Sequence, residues 1–556
     1  MTKSRDTANI IKQPFTQTLG TSNYRAGVNA GNSITSGGNY NVTVGDESGT
    51  AITTGDQNTF VGSFSGVATV TTSDNTGLGL STLRANTGSS NTALGSQALR
   101  NNTTASNNTA VGFQAGYYTT TANRLTAIGQ FAGYGQATGA ENTYVGYGSG
   151  PNTVANASGQ YNTGLGTFAL YSNTTASSNT AVGYQALTAN TTGYDNTATG
   201  YAALYSNTDG FRNVANGHGA LYSNTTGDYN TASGRSSLYA NTTGGDNTAF
   251  GNNALESNTT ASDNTAVGKD SLKANTTGED NTATGTSAMK ENTTGSYNSA
   301  YGVLACDDNT TGGSNVGVGH SALRLNTTGA SNTAVGESAL TSTTGGSNTA
   351  IGAGSGNAIT SGTKNTILGM FNGNQHSLDI RTSSNNIVLS DGDGNPRLRI
   401  DSNGKAHFRT GNDQGIDIRI GSSSSTNGKI IDFHDDDNNQ CGFIGINASA
   451  NTVSYNTSSD YRLKENIVDL TGATDRLKQL KPKRFNFIAD GTNTLVDGFL
   501  AHEAQAVVPE CVVGTKDAVD ADGNAEYQGI DQSKLVPLLV KTIQELEARI
   551  TALEGA

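Results

Sequence analysis

Ser459 and Lys464 stand five residues apart in the stretch Asn-Thr-Ser-Ser-Asp-Tyr-Arg-Leu-Lys, residues 456–464. A serine hydroxyl is a weak nucleophile and needs a neighbouring base, and a lysine amine can serve where burial or another cation keeps it neutral. The spacing lets the two meet if the chain bends at Asp460-Tyr461, and Asp460 and Arg462 are placed to hold such a bend. A structural reading competes with the chemical one: "SSD" is also a good N-cap for a short helix beginning at Tyr461. Both can hold together, and of the two adjacent serines the spacing to Lys464 selects Ser459.

Other candidate chemistry is weaker. Asp391, Asp393 and Asn395 imitate the start of a calcium loop, but the twelfth position is Ser402 where a bidentate Glu is required. His434 lies beside Asp432, Asp435, Asp436 and Asp437, which reads better as a solvated turn than as a metal site. His218, His320, His376 and His407 are scattered without ligand spacing. Cys306, Cys441 and Cys511 are odd in number and far apart, so they suggest buried thiols rather than disulfides or zinc. No metal and no cofactor is expected. A pair of carboxylates for glycoside cleavage is defined by separation in space and is not legible in a sequence.

The elements that must position Ser459 lie in a chain of two characters. Its 556 residues include 72 Gly and 6 Pro, with 33% hydrophobic and 14% charged residues. That is too little large apolar side chain for one ordinary core, whereas disorder usually brings more charge and fewer β-branched residues. The expected solution is a thin core repeated many times. A net charge of -13 without a basic stripe argues against nucleic acid. The first residues lack the apolar stretch of a secretory signal, and no run of about 18 apolar residues offers a membrane span.

The repeat is counted by glycines. "NTAVG" and its variants end at Gly45, Gly62, Gly79, Gly95 and onward to Gly369, and sixteen of the nineteen intervals are 17 residues. Two are 16 and one, between Gly146 and Gly166, is 20. The consensus N-T-A-V-G-x-x-A-L-x-x-N-T-T-G-x-x suits one coil of a β-solenoid, read as two short extended runs separated by turns. Twenty coils at about 4.8 Å would stack to roughly 95 Å. Two residues before each landmark Gly the side chain is small, as at Ala93, Ala110, Ala181, Ala232, Ala266 and Ala334. The next position varies, as at Val111, Thr199, Asn216, Ser233, Phe250 and Tyr301. Strand alternation then places the alanines in a narrow interior and the variable residues outside. Leu187, Leu204, Leu221, Leu238, Leu255 and Leu272, four after their glycines, supply the larger interior side chains. The "NTTG" turn is expected to use Asn for local hydrogen bonding and Gly for positive φ. Its many Asn-x-Thr sequons are read as stacked turns rather than glycosylation sites.

From about 375 to 458 the beat stops. Longer runs, "NNIVLSD", "PRLRIDSNGKAHF", "GIDIRIG", "KIIDFHD" and "CGFIGI", are divided by "DGDGN", "NG" and "DDDNN". They predict a β-shaft of intertwined or stacked strands joined by hairpin or bend turns.

Two resemblances add to this reading. The coils resemble the "NAVAIG"-type units of trimeric autotransporter adhesin heads, which form β-rolls of shorter units. Ser459-Asp460-Tyr461-Arg462-Leu463-Lys464 resembles the S-D-x-R-x-K signature of the self-cleaving intramolecular chaperone domain that ends many bacteriophage tail spikes and tail fibres. "DGFLAHEAQAVVPECV" is similar to that family's central G-F-x-A-x-E block, and "YQGIDQSKLVPLLVKTIQELEARI" to its closing segment. The resemblance implies a trimeric chaperone that directs folding of the fibre before it and then cuts itself free. Ser459 would attack the carbonyl of Ser458, with Lys464 as base, giving an ester that water resolves. His502 and Glu503 lie in the central block and could assist, though the resemblance assigns them no chemistry. The activity implied is a single-turnover serine autoproteolysis, and no other is evident.

Val536, Leu539, Ile543, Leu546, Ile550 and Leu553 alternate by three and four, the seam of a short coiled coil with Pro537 in its first turn. This seam pattern leans toward dimers in isolated peptides, so the homotrimer is implied by the resemblance alone. The expected organisation is a mainly β chain. An N-terminal virion-attachment segment (1–44) precedes the β-solenoid (45–374), the β-shaft (375–458) and a small α+β chaperone domain (459–556). The implied protein is a phage tail fibre, made in the host cytoplasm and carried on the virion. Tail or baseplate proteins would hold its N-terminus and a host-surface receptor, expected to be a glycan, would meet the rod. A polysaccharide-degrading tailspike is the first alternative, against which zero Trp counts mildly although 21 Tyr could substitute. A bacterial trimeric surface adhesin is the second, disfavoured by the absence of an export signal and a membrane β-anchor.

Overall fold

The computed structural model describes residues 20–153, 156–408, 428–434, 440–447, 452–457, 459–488, 491–520 and 523–556. The chain divides into two compact units, residues 1–416 and 417–556.

The first unit is a β-solenoid. Each coil contributes one three-residue strand, and Thr180–Val182, Thr197–Thr199, Val214–Asn216 and Thr231–Ser233 pair in parallel, each with the next, in strict register. The second run of the consensus is not a strand: Ala203-Leu204 and its equivalents lie in turns. Those turns still bond from coil to coil, as where Leu204 N–H donates to Ala220 O at 3.0 Å. Leu204 has φ 51, a left-handed geometry that costs a bulky residue about 1–2 kcal/mol. Full burial of its side chain, worth about 1.5–3 kcal/mol, offsets that strain.

The inside and outside faces are as alternation predicts. Ala93, Ala110, Ala181, Ala232, Ala266 and Ala334 are fully buried, while Phe250 and Tyr301 are nearly half exposed. The interior admits a large residue only where glycines make room. Tyr144 is enclosed because a Cβ on Gly150 would lie 2.5 Å from its ring and one on Gly164 would lie 3.2 Å away. Ala232 has no such neighbours, since Ala215 and Ala249 lie above and below it. Ala232→Leu is therefore expected to lower stability by about 1–3 kcal/mol through overpacking, while Ser233→Thr is nearly silent. Thermal melts check the order of the two.

The asparagines of the "NTTG" turns make the local hydrogen bond expected, as where Asn190 Nδ2 donates to Gly193 O at 2.9 Å, and the asparagines also build two buried ladders along the stack. Asn196 N–H donates to Asn179 Oδ1 at 2.9 Å, and Asn207 Nδ2 donates to Asn190 Oδ1 at 2.8 Å. Asn196 and Asn207 both donate to Gly210 O at 2.8 Å. Each amide thus satisfies backbone that a solenoid turn would otherwise bury unpaired. The glycine of "NTTG" is needed for close approach rather than for positive φ. A Cβ on Gly227 would sit 2.4 Å from Gly244 O of the next coil. Positive φ belongs to the landmark glycines, such as Gly200 at +133.

Stacking begins before residue 45, because Tyr24–Ala26 already pairs in parallel with Val42–Val44. It ends with Ile387–Ser390 on Thr366–Leu368, after which Pro396–Ile400 and Ala406–Phe408 add antiparallel strands. The "DGDGN" segment is the hairpin turn expected. Asp391 accepts from the Asn395 side-chain amide and N–H, from Arg397 and from Asp393 N–H, which together hold its carboxyl well below the usual carboxylate range.

In the second unit, Gly428–His434, Gln440–Asn447 and Thr452–Thr457 form an antiparallel sheet. "GIDIRIG" and Asp435 to Asp437 lie outside the described residues. A small α+β region follows, with helices α1 (Ala473–Leu477), α2 (Ala501–Gln505) and α3 (Val536–Glu554) and three two-stranded sheets. Its core is Ala473, Leu480, Ala504, Val508, Cys511, Leu535 and Leu538. Cys306 and Cys511 are buried and free, and burial pushes the Cys306 thiol up to about 12. Among the described residues no group of three or more His, Cys, Asp or Glu could hold a metal, and no helix is long and apolar enough to cross a membrane.

Candidate processing site

The bend required at Asp460-Tyr461 is present. Asp460 caps a 3-10 turn, Tyr461–Leu463, by accepting from Arg462 N–H at 2.9 Å. Leu463 N–H donates to Asp460 O and Lys464 N–H to Tyr461 O, each at 3.1 Å. The Arg462 guanidinium closes a fork on the same carboxylate at 2.9 and 2.7 Å. Arg462 and its backbone N–H hold the Asp460 carboxyl below its usual range. The cap and the contact therefore share one tight turn, which carries Lys464 Nζ to 2.8 Å from Ser459 Oγ.

That distance suits proton transfer between a nucleophile and its base. In the single chain both side chains are exposed, and so are Tyr461, Leu463, Ile467 and Val468 around them. His502 and Glu503 sit elsewhere, on α2. Glu503 is half-buried with Lys483 Nζ at 3.9 Å, and His502 is exposed. Among the described residues no hydrogen bond or ion pair joins either of them to Ser459 or Lys464.

Helix α3 runs on from a 3-10 turn, Gln532–Leu535, and Pro537 falls in its first turn. Leu538 and Thr542 are buried against the domain. Val536, Leu539, Ile543, Leu546, Ile550 and Leu553 are all exposed, between 41% and 78%, so the predicted seam is left uncovered by the described residues of its own chain. Glu545 is a positioning residue that sequence reasoning missed. Its carboxylate accepts from Ala473 N–H at 3.0 Å and from Thr474 N–H and Oγ1 at 2.8 and 2.7 Å, tying α3 to the start of α1. Its partners lie 71 and 72 residues away, and no local pattern announces them.

Those bonds lower the Glu545 pKa from 4.5 to about 2, led by the Thr474 hydroxyl. A depressed carboxyl stabilises the fold above its unfolded value and ceases to do so as pH falls through its folded value. Protection of the Ala473 and Thr474 amides from hydrogen exchange is thus expected to weaken from about pH 4.5 toward pH 2. Glu545→Gln should abolish that pH dependence.

Residues 459–513 match the family model described as chaperone of endosialidase, Peptidase_S74. The match begins at Ser459 and stops before α3. No curated protein and no solved structure matches the chain. Behind a long β-solenoid of 17-residue coils, the chain therefore carries a C-terminal domain of the Peptidase_S74 chaperone of endosialidase family.

Proposed function

We propose that the chain is a trimeric phage tail fibre whose C-terminal domain assists its folding and then leaves by autoproteolysis between Ser458 and Ser459. The observation that carries this reading is the Ser459–Lys464 contact at the first residue of the family match. In the step envisaged, Ser459 Oγ adds to the carbonyl carbon of Ser458 as its proton passes to Lys464 Nζ. The C–N bond then breaks, the proton goes to the departing Ser459 amine, and an ester links Ser458 to the Ser459 oxygen. Water hydrolyses that ester, leaving a Ser458 carboxylate and a separate chain that begins with Ser459.

Self-association has two supports. One is the exposed seam of α3. The other is the outward face of the solenoid strands. From Val42–Val44 to Thr366–Leu368 its two outward positions carry Thr, Val, Leu, Ile and a few other residues, none charged. Depletion of charge over a continuous face is a mark of interface cores. Burial of Tyr461 and Leu463 against further copies would also strip water from the Ser459–Lys464 pair, and a desolvated amine is the form that takes a proton. Cleavage would then follow assembly. Mass and light scattering of the purified product test the reading: a trimer of chains ending at Ser458 is expected, and a monomeric or uncut product overturns it.

A further inference from the structure

Among the coils counted from Gly45 to Gly369 one is lengthened, the 20-residue interval between Gly146 and Gly166, and the ring contacts around it are mostly edge-to-face. In later coils aromatic side chains stack on one another: Tyr205 on Tyr222 at 5° and Tyr222 on Tyr239 at 8°, with centroids 5.0 Å apart. Such ladders cover their own ring faces. From Phe113 to Tyr171 the contacts are instead mostly edge-to-face, with Tyr117 stacked on Tyr134 at 19° as the exception. Phe131 meets Tyr134 at 87°, Tyr147 meets Phe168 at 80° and Phe168 meets Tyr171 at 89°. Splayed rings leave faces open, and here they line a cleft with Asn152.

The inserted loop completes that cleft. Asn152 N–H donates to Tyr171 O at 2.9 Å and its Nδ2 donates to Phe131 O at 3.1 Å, pinning the loop to the coils on either side. Its Oδ1 accepts no hydrogen bond from the described residues, and the Tyr147 and Tyr171 hydroxyls are likewise unpaired among them. Insertions in repeat folds tend to map to the binding face. No charged residue lines the cleft.

We propose that this cleft, formed by Phe131, Tyr134, Tyr147, Asn152, Phe168 and Tyr171, binds the uncharged pyranose units of a surface glycan. A sugar ring offers an apolar C–H face to an aromatic side chain and hydroxyls to amide and phenol groups, and both chemistries meet here. Phosphate-bearing ligands would require cations that the lining lacks. The cleft from Phe131 to Tyr171 crosses two coil intervals, roughly 10 Å, enough for a short oligosaccharide of two pyranose units. This inference rests on the reading of the chain as an attachment fibre.

The test is an array of neutral and acidic bacterial oligosaccharides probed with the full-length fibre and with Tyr147→Ala, Phe168→Ala and, as control, Tyr222→Ala from the stacked ladder. Neutral oligosaccharides are expected to bind, with at least a tenfold loss of affinity for the two cleft variants and none for Tyr222→Ala. Melting temperature and light scattering show whether each variant still folds and assembles. Unchanged binding by folded cleft variants overturns the site. So does a change of stoichiometry in those variants, which would mean that another copy covers the cleft. A fibre that adheres to host cells but binds no neutral oligosaccharide overturns the site while sparing the attachment reading. A fibre that binds neither cells nor sugars overturns both.

Discussion

A chain carrying Ser459→Ala is expected to be recovered at its full length, folded and assembled, while the unaltered chain yields a product ending at Ser458. The substitution removes one oxygen from an exposed turn and leaves the Asp460 cap and the Arg462 fork untouched. The loss is confined to chemistry, because no other hydroxyl donates to or accepts from Lys464 Nζ among the described residues. Lys464→Ala should behave in the same way. Lys464→Arg separates a base from a mere structural contact. Arginine keeps a donor within reach of Ser459 Oγ but never gives up its proton under these conditions, so processing should still fail. Intact mass is the measurement. Cleavage of Ser459→Ala at the unaltered position would remove Ser459 from the mechanism, and efficient cleavage of Lys464→Arg would remove Lys464.

What the sequence makes legible here follows from which forces are local. The alternation that buries Ala232 and exposes Ser233 is a property of extended backbone, so a run of three residues suffices to read it. The turn at Asp460 is equally local, since cap, fork and bend all lie within residues 459–464. The asparagine ladders are not local. Asn207 in "NTD" looks like any turn residue, and only the coil 17 residues earlier, with Asn190 Oδ1 waiting, decides that its amide points inward. The same holds for the glycine of "NTTG", whose restriction comes from a carbonyl one coil away. Treating Ala-Leu as a second strand failed for a related reason. Left-handed φ at Leu204 breaks the extended geometry, yet its burial preserves the apolar pattern that had suggested a strand.

The C-terminal domain divides in the same way. The seam of α3 is periodic and could be read, and its exposure on a single chain is what an intermolecular helix requires. His502 and Glu503 share a sequence block with a family motif, but sharing a motif does not place side chains together. They belong to α2, whose nearest charged partner is Lys483 on the strand Lys483–Phe485.

Deleting residues 459–556 before synthesis is expected to cut the yield of soluble trimer severely, whereas losing them after assembly costs little. Parallel pairing links each coil only to its neighbours, so coils can add one after another once a first few are in place. In the proposed trimer, bringing three chains together in matching register would be the slow step, and it would expose unpaired strand edges while it lasts. The uncharged strand faces make a mismatched pairing easy, since most coils offer a Thr at the first outward position and no coil offers a charge that would reject a wrong neighbour. On the proposed reading, a domain that joins the chains through its exposed seam would fix the register before the coils close. After closure it would add no contact inside the stack, and its release would leave the proposed fibre behind a high unfolding barrier. Expressing residues 1–458 beside the self-processing chain, and comparing trimer yield and heat resistance by light scattering, measures the difference. Equal yields of equally heat-resistant trimer would show that the solenoid finds its own register and that the C-terminal domain is no chaperone for it.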